Sequence, residues 1–118
     1  MDTINISIAR DYSPCPGPRY EKEGNWSGEV FRKTIFYPMV KDAINSDKIV
    51  KINLDGTAGY GTSFLEEIFG GLIRVHELDY KKVLKHLEII SEEEDYLKDD
   101  IYHYLQDAYE QKKLADKG

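Results

Sequence analysis

A single cysteine, Cys15, is the only thiol in this chain of 118 residues, so no intramolecular disulfide is available and a reducing compartment is its natural setting. No apolar run approaches the ~20 residues that span a bilayer. The N-terminal MDTINISIAR also lacks the basic and apolar regions of a secretory signal. Together these absences read as a cytoplasmic protein with no membrane partner. An excess of positive charge is missing too: 16 Lys and Arg face 22 Asp and Glu, a net charge of −6, with acids crowded into SEEEDYLKDD. That balance argues against direct nucleic-acid binding, which begins with neutralising phosphates. Metal ligands are sparse. His103 has Asp99 and Asp107 one turn to either side but no third element nearby in sequence, and His76 with Glu77 shows no ligand spacing, so no metal and no cofactor are expected.

What is present is the alternation of a small α/β domain. The length allows one core of two layers, a single domain over 1–118 with its core at about 4–90 and a C-terminal helix at about 92–114. Ile4, Ile6 and Ile8 alternate with polar or small residues as in a half-buried strand. The loop RDYSPCPGPRYEKEGN is long enough to hold a short strand near Arg19 to Lys22 or to serve a function. Ser27 then caps a helix running to about Asn45, with Trp26 and Phe31 in staple positions and Phe31, Ile35, Phe36, Val40, Ala43 and Ile44 on its apolar side. Pro38 falls inside that helix and predicts a kink or break. KIVKINL (48–54) reads as a central strand. Phe64, Leu65, Ile68, Phe69, Leu72 and Ile73 make a helical stripe, with Glu66, Glu67 and Arg74 facing away. Asp79 caps a short helix with Leu78 and Val83 as its staple, HLEII (86–90) is a third strand, and Ser91 with Glu94 forms a capping box for the last helix. That helix buries Leu97, Ile101, Tyr104, Leu105 and Ala108, and KKLADKG frays from its end. The fold class is α/β, a small mixed sheet with parallel central strands and helices packed against it.

The stretch NLDGTAGYGTSFLEEIFGGLI carries the chemistry, if any. Gly56, four residues, then Gly61, Thr62 and Ser63 is the frame of a phosphate-binding loop with Thr62 where the lysine belongs. Without that cation, and with Glu66 and Glu67 just beyond, a triphosphate loses its main charge partner, and only weak nucleotide contact at a helix start remains. A hydrolase reading of Ser63 fails because Leu65 stands at the final glycine of the nucleophile elbow. Ser63 with Glu66 has capping-box spacing, a role worth roughly 1 kcal/mol. A serine so placed also tolerates phosphate, whose charge of about −2 changes what can dock.

DGTAGYGTSFLEEIFGGL, the upstream SGEVFRKTIFYPMV and the turn at Pro16 to Arg19 resemble the bacterial STAS-like domain family of unknown function, over roughly residues 4–90. That family is similar to the STAS domains of anti-sigma factor antagonists and sulfate transporters. In the antagonists the corresponding strand leads into Asp-Ser-Ser-Gly-Leu, whose second serine is phosphorylated by a GHKL-type kinase. By that resemblance Gly61 stands for the aspartate, Thr62 for the first serine, Ser63 for the phosphoacceptor, Phe64 for the glycine and Leu65 for the leucine. Gly61 lacks the carboxylate and Phe64 replaces a small residue, so the chain departs from the pattern on both sides of the two hydroxyls.

The resemblance implies a non-enzymatic regulatory domain that binds a protein partner, a GHKL-type ATPase or kinase, with Thr62 and Ser63 as recognition or phosphoacceptor residues. Gly59, Tyr60, Gly61 and Phe64 would complete the surface. Arg19 and Tyr20 join it on residue type alone, as side chains that anchor interfaces. Two alternatives stand beside this reading: a phage or defence-linked effector or inhibitor that binds protein without phosphorylation through its acidic last helix, and a weak nucleotide-binding module; a homodimer is compatible with each. Gly70 and Gly71, mid-helix at roughly 2 kcal/mol relative to alanine, signal close approach by another backbone. Tyr102 and Tyr109 form a second stripe on the last helix.

Overall fold

The computed structural model describes residues 2–117; Met1 and Gly118 of the expected domain lie outside them. Three strands, β1 (Thr3–Ser7), β2 (Ile49–Asn53) and β3 (Leu87–Ile90), form a sheet in the order β1-β2-β3. The central place expected for 48–54 is occupied by β2. Both pairings are parallel, so the sheet is parallel throughout rather than only in its middle. Register sets Ile4 beside Val50 beside Leu87, and Ile6 beside Ile52 beside Ile89. This face meets the helices. The other carries Asn5, Lys51 and Glu88, the last two joined at 3.4 Å.

Ile8 is buried, as its alternation requires, but it opens a short helix, α1 (Ile8–Asp11), instead of extending β1. Ser7 makes the switch: its Oγ accepts from Arg10 N at 3.2 Å while its own N–H donates to Asp11 Oδ2 at 2.8 Å. In place of the short strand that the loop had room for near 19–22 stands a 3-10 turn at Glu21–Glu23. Ser27 caps the next helix through Val30 N, as predicted. The staple is different, because Trp26 turns outward and Tyr12 packs on Phe31 in its place at 5.0 Å between ring centroids.

Pro38 neither breaks the helix nor leaves it regular. α2 (Gly28–Phe31) passes through a π turn, Arg32–Phe36, into α3 (Tyr37–Ser46). Pro38 has no N–H to offer Thr34, and the wider turn absorbs the mismatch, with Tyr37 N bonded to Arg32 O. Phe36, Val40 and Ala43 stay in the core, and the chain leaves α3 through Asp47 at φ 53, a left-handed exit.

α4 (Thr62–Arg74) packs between α2 and α6 (Leu97–Lys117), and all six predicted stripe residues are buried. Covered on two sides, it buries more than a stripe. Glu67, expected to face away, is 3% exposed. Asp79 caps α5 (Tyr80–Lys85) by accepting from Lys82 N at 3.0 Å. The Ser91 and Glu94 box does not form: Ser91 Oγ donates to Glu94 O at 2.7 Å, and the amides of Glu92 and Glu93 are taken by Asp55, so α6 begins only at Leu97. It buries Leu97, Ile101, Leu105 and Ala108 and continues through the segment expected to fray as far as Lys117.

Candidate functional site

The loop from Leu54 to Gly61 leaves the carboxyl end of the central strand, where open α/β sheets place their sites. Its first residues are fastened on two sides. The Asp55 carboxylate accepts from Glu92 N and Glu93 N at 3.0 Å, and the Glu93 carboxylate accepts from Gly56 N in return. On the other side Ala58 N donates to Pro14 O at 2.8 Å. Gly56 (φ 91) and Gly59 (φ 136) adopt backbone that a side chain would strain. Tyr60 is half-buried and donates to Leu54 O at 2.6 Å. Burial, reinforced by the charges of Asp55, Glu94 and Glu93 and opposed by a hydrogen bond with Thr57, pushes its pKa up to about 12. The phenol is therefore a fixed donor.

Gly61, extended at φ −74 and ψ 145, is the N-cap of α4, with no side-chain cap. Its carbonyl accepts from Phe64 N at 3.1 Å. The capping box read from Ser63 and Glu66 is therefore absent: Ser63 is the second residue of the helix, two residues too late to cap it. Glu66 turns instead to Arg19 and Arg74. Thr62 and Ser63 are both exposed. Phe64 is not: it is fully buried, 6.5 Å from Phe31 and 5.9 Å from Tyr60 by ring centroids, and offers no contact surface to a partner.

Arg19 and Tyr20 divide. Tyr20 is 40% exposed. Arg19 is tied inward, its Nη1 bonded to Glu66 Oε1 and 3.0 Å from Glu67 Oε1. It belongs to a network that sequence reasoning missed. Arg32, 2% exposed, meets Glu67 Oε2 and also donates to Glu67 O and to His76 Nε2, each at 3.2 Å. Arg74 reaches Glu66 Oε2 at 2.8 Å and Glu67 Oε1 at 3.6 Å. Burial raises the pKa of Glu66, but hydrogen bonds from Arg74 and Arg19 outweigh it and hold the carboxyl below its ordinary value. The signal was the glycine pair. A Cβ on Gly71 would stand 2.6 Å from Arg32 Nη1, and one on Gly70 2.3 Å from Glu66 Oε2. These glycines make room for side chains of the network, not for another backbone as expected. Close backbone approach between helices is at Gly28, where a Cβ would meet Phe64 O at 2.9 Å.

His76 stacks on Tyr37 at 3.7 Å, and burial, followed by the charges of Arg32 and Lys33, lowers its pKa. Among the described residues no group of His, Cys, Asp and Glu could hold a metal ion, and His103 is exposed. Among the described residues no helix is long and apolar enough to cross a membrane.

Comparison with protein families matches residues 27–97, from the cap of α2 to the first residue of α6, to the STAS-like domain of unknown function (DUF4325). The chain belongs to this STAS-like family. The match covers more than half of the sequence and includes β2, β3, the glycine-rich loop and α4. No curated protein and no solved structure matches the chain. The STAS-like segment thus holds Arg32, Glu66 and Glu67, while β1, Tyr12 and Arg19 precede it.

Proposed function

We propose that this STAS-like chain is a non-enzymatic regulatory domain that binds a protein partner through the start of α4, with Ser63 as the residue whose modification controls binding. One observation carries the reading. Gly61 occupies the N-cap, so the Ser63 hydroxyl is exposed, plays no capping part, and sits in the first turn of a 13-residue helix. Phosphate is favoured there by the helix dipole and disfavours acidic partners by its charge. Thr62 beside it is the second hydroxyl, and Gly59 and Gly61 leave the approach free of bulk. The partner this implies is a GHKL-type ATPase or kinase. The nucleotide-binding alternative finds less support, since two of the loop amides a phosphate would need, Gly56 N and Ala58 N, already serve Glu93 and Pro14.

The test is phosphate incorporation and complex formation with a GHKL-type kinase encoded beside the gene. Ser63→Ala should abolish incorporation, and Ser63→Glu should weaken the complex at least tenfold. Unchanged incorporation and binding in both Ser63→Ala and Thr62→Ala would reject the switch.

A further inference from the structure

Trp26 is the only tryptophan in the chain, and it is 52% exposed with its backbone at φ 60. A bulky residue in the left-handed region is an outlier that persists only where its surroundings dictate it. Here they do. Gly17 N donates to Trp26 O at 2.9 Å, and a Cβ on Gly17 would stand 2.1 Å from Asn25 O. On the other side Ser27 caps α2 and Gly28 N donates to Pro18 O at 2.9 Å. The indole meets Tyr12 edge-on, centroids 5.4 Å apart, and Tyr12 is itself fixed by donating to Ser27 O at 2.8 Å.

Beside the indole runs an open groove of about 610 Å³ lined by Tyr12, Glu21, Gly24, Asn25, Trp26 and Val30. Glu21 is its one charged residue. It is exposed, and among the described residues its carboxylate forms no ion pair. Its charge reaches Tyr12, whose hydroxyl pKa is raised by burial and then by Glu21. A second groove, of about 600 Å³, shares Glu21 and continues past Tyr20, where Glu29, Lys22 and Lys33 complete its lining. Tyr20, Tyr37 and Tyr109 each carry a lysine or arginine of this chain over the ring, at 5.2 to 5.9 Å from the centroid. Trp26, the better cation acceptor by ring type, carries none among the described residues.

We infer that this groove receives an arginine of a protein partner, its guanidinium lying on the Trp26 ring and its fork paired with the Glu21 carboxylate. Arginine fits better than lysine because its planar group stacks and pairs at once. The net charge of −6 draws a basic segment in and keeps nucleic acid away. The two grooves meeting at Glu21 suit several residues of extended chain rather than a free amino acid.

Tryptophan emission, excited at wavelengths beyond tyrosine absorption, reads this site alone, because Trp26 is the chain's single tryptophan. Titration with a Gly-Arg-Gly repeat peptide should give a saturable change in Trp26 emission. Glu21→Gln should weaken the apparent Kd about tenfold, the loss of one charge-assisted pair. Asp99→Asn, on the exposed face of α6, should leave it within about twofold. Three results would overturn the inference: a Gly-Lys-Gly repeat binding equally well, Asp99→Asn weakening binding as much as Glu21→Gln, or free arginine saturating the signal at the same concentration. A flat titration would overturn it as well.

Discussion

Replacing Glu67 by methionine should be the most damaging conservative-volume change in the buried network, and its cost follows from what Arg32 would have left. Arg32 and Glu67 are 2% and 3% exposed. With the carboxylate gone, the Arg32 guanidinium keeps only the Glu67 carbonyl and His76 Nε2, both neutral and both at 3.2 Å. An uncompensated buried charge costs about 3–5 kcal/mol. At about 2.1 cal/mol/K of unfolding entropy per residue, a chain of 118 residues loses about 4 °C of Tm per kcal/mol, so the drop should be roughly 12–20 °C. Arg32→Met should cost less, about 1–3 kcal/mol, since Glu67 retains Arg19 at 3.0 Å and Arg74 at 3.6 Å. The double variant Arg32→Met with Glu67→Met should regain about 2 kcal/mol over Glu67→Met alone, because it buries no orphan charge. Urea unfolding followed by circular dichroism measures all three. A Glu67→Met cost below about 1 kcal/mol, or a double variant no more stable than Glu67→Met, would refute the assignment of Arg32 as a charge held by that carboxylate.

The other consequences are smaller but as direct. Gly71→Ala should destabilise in a thermal melt despite better helix propensity, because the Arg32 guanidinium 2.6 Å from the new Cβ is buried and cannot retreat; Gly70→Ala pushes on the Glu66 carboxylate that Arg19 and Arg74 hold, and should cost less because that side chain is only half-buried. Asp47→Gly should stabilise by about 0.5–1 kcal/mol in urea, since the residue holds φ 53 at the end of α3. His76 has a folded pKa below its ordinary 6.5, so on acidification the unfolded chain takes up the proton first. The stability it contributes is present above that value and is lost as pH falls through the window beneath it, and His76→Phe, which keeps the stacking on Tyr37, should flatten that part of a Tm against pH profile. Glu66, also lowered, contributes in the same sense below its ordinary 4.5, so a second decline should begin there and remain in the His76 variant.

Periodicity and cap chemistry located what depends on local patterning. Ser27 and Asp79 cap where their spacing said, and the six apolar positions of α4 are all buried. What failed depended on partners distant in sequence. Glu67 lies at the border of the apolar stripe, and only the packing of α2 and α6 on both sides of α4 turns that border inward. Ser91 and Glu94 have the spacing of a box, yet Asp55, 37 residues earlier than Glu92, takes the amides. Ser63 and Glu66 have the same spacing, and there Gly61 caps by backbone geometry while Arg19, 47 residues before Glu66, claims the carboxylate. In both places a local motif lost to a carboxylate interaction across the fold. The outward turn of Trp26 belongs to the same class, since Gly17 and Pro18 impose it through backbone hydrogen bonds.

The division between what the family match covers and what it does not follows the same line. Residues 27–97 supply α2, α4, β2 and β3 and the exposed hydroxyls at the start of α4. The segment before them is not a loose extension: Pro14 O holds Ala58 N of the glycine-rich loop, Pro18 O and Arg19 O hold the first amides of α2, and the Arg19 side chain closes on Glu66 and Glu67. Each of these bonds joins a residue outside the matched segment to one inside it. The segment thus places Tyr12, Tyr20 and Trp26 on a scaffold whose other side begins at Thr62. A row of ring contacts connects the two, Trp26 to Tyr12 to Phe31 to Phe64 to Tyr60, at centroid distances from 5.0 to 6.5 Å. Phe64, unavailable as a contact for a partner, is the piece of core that fixes the helix start relative to the groove. A partner that engages both the α4 start and the Trp26 groove would meet them in one rigid arrangement, because the rings between them are packed rather than hinged.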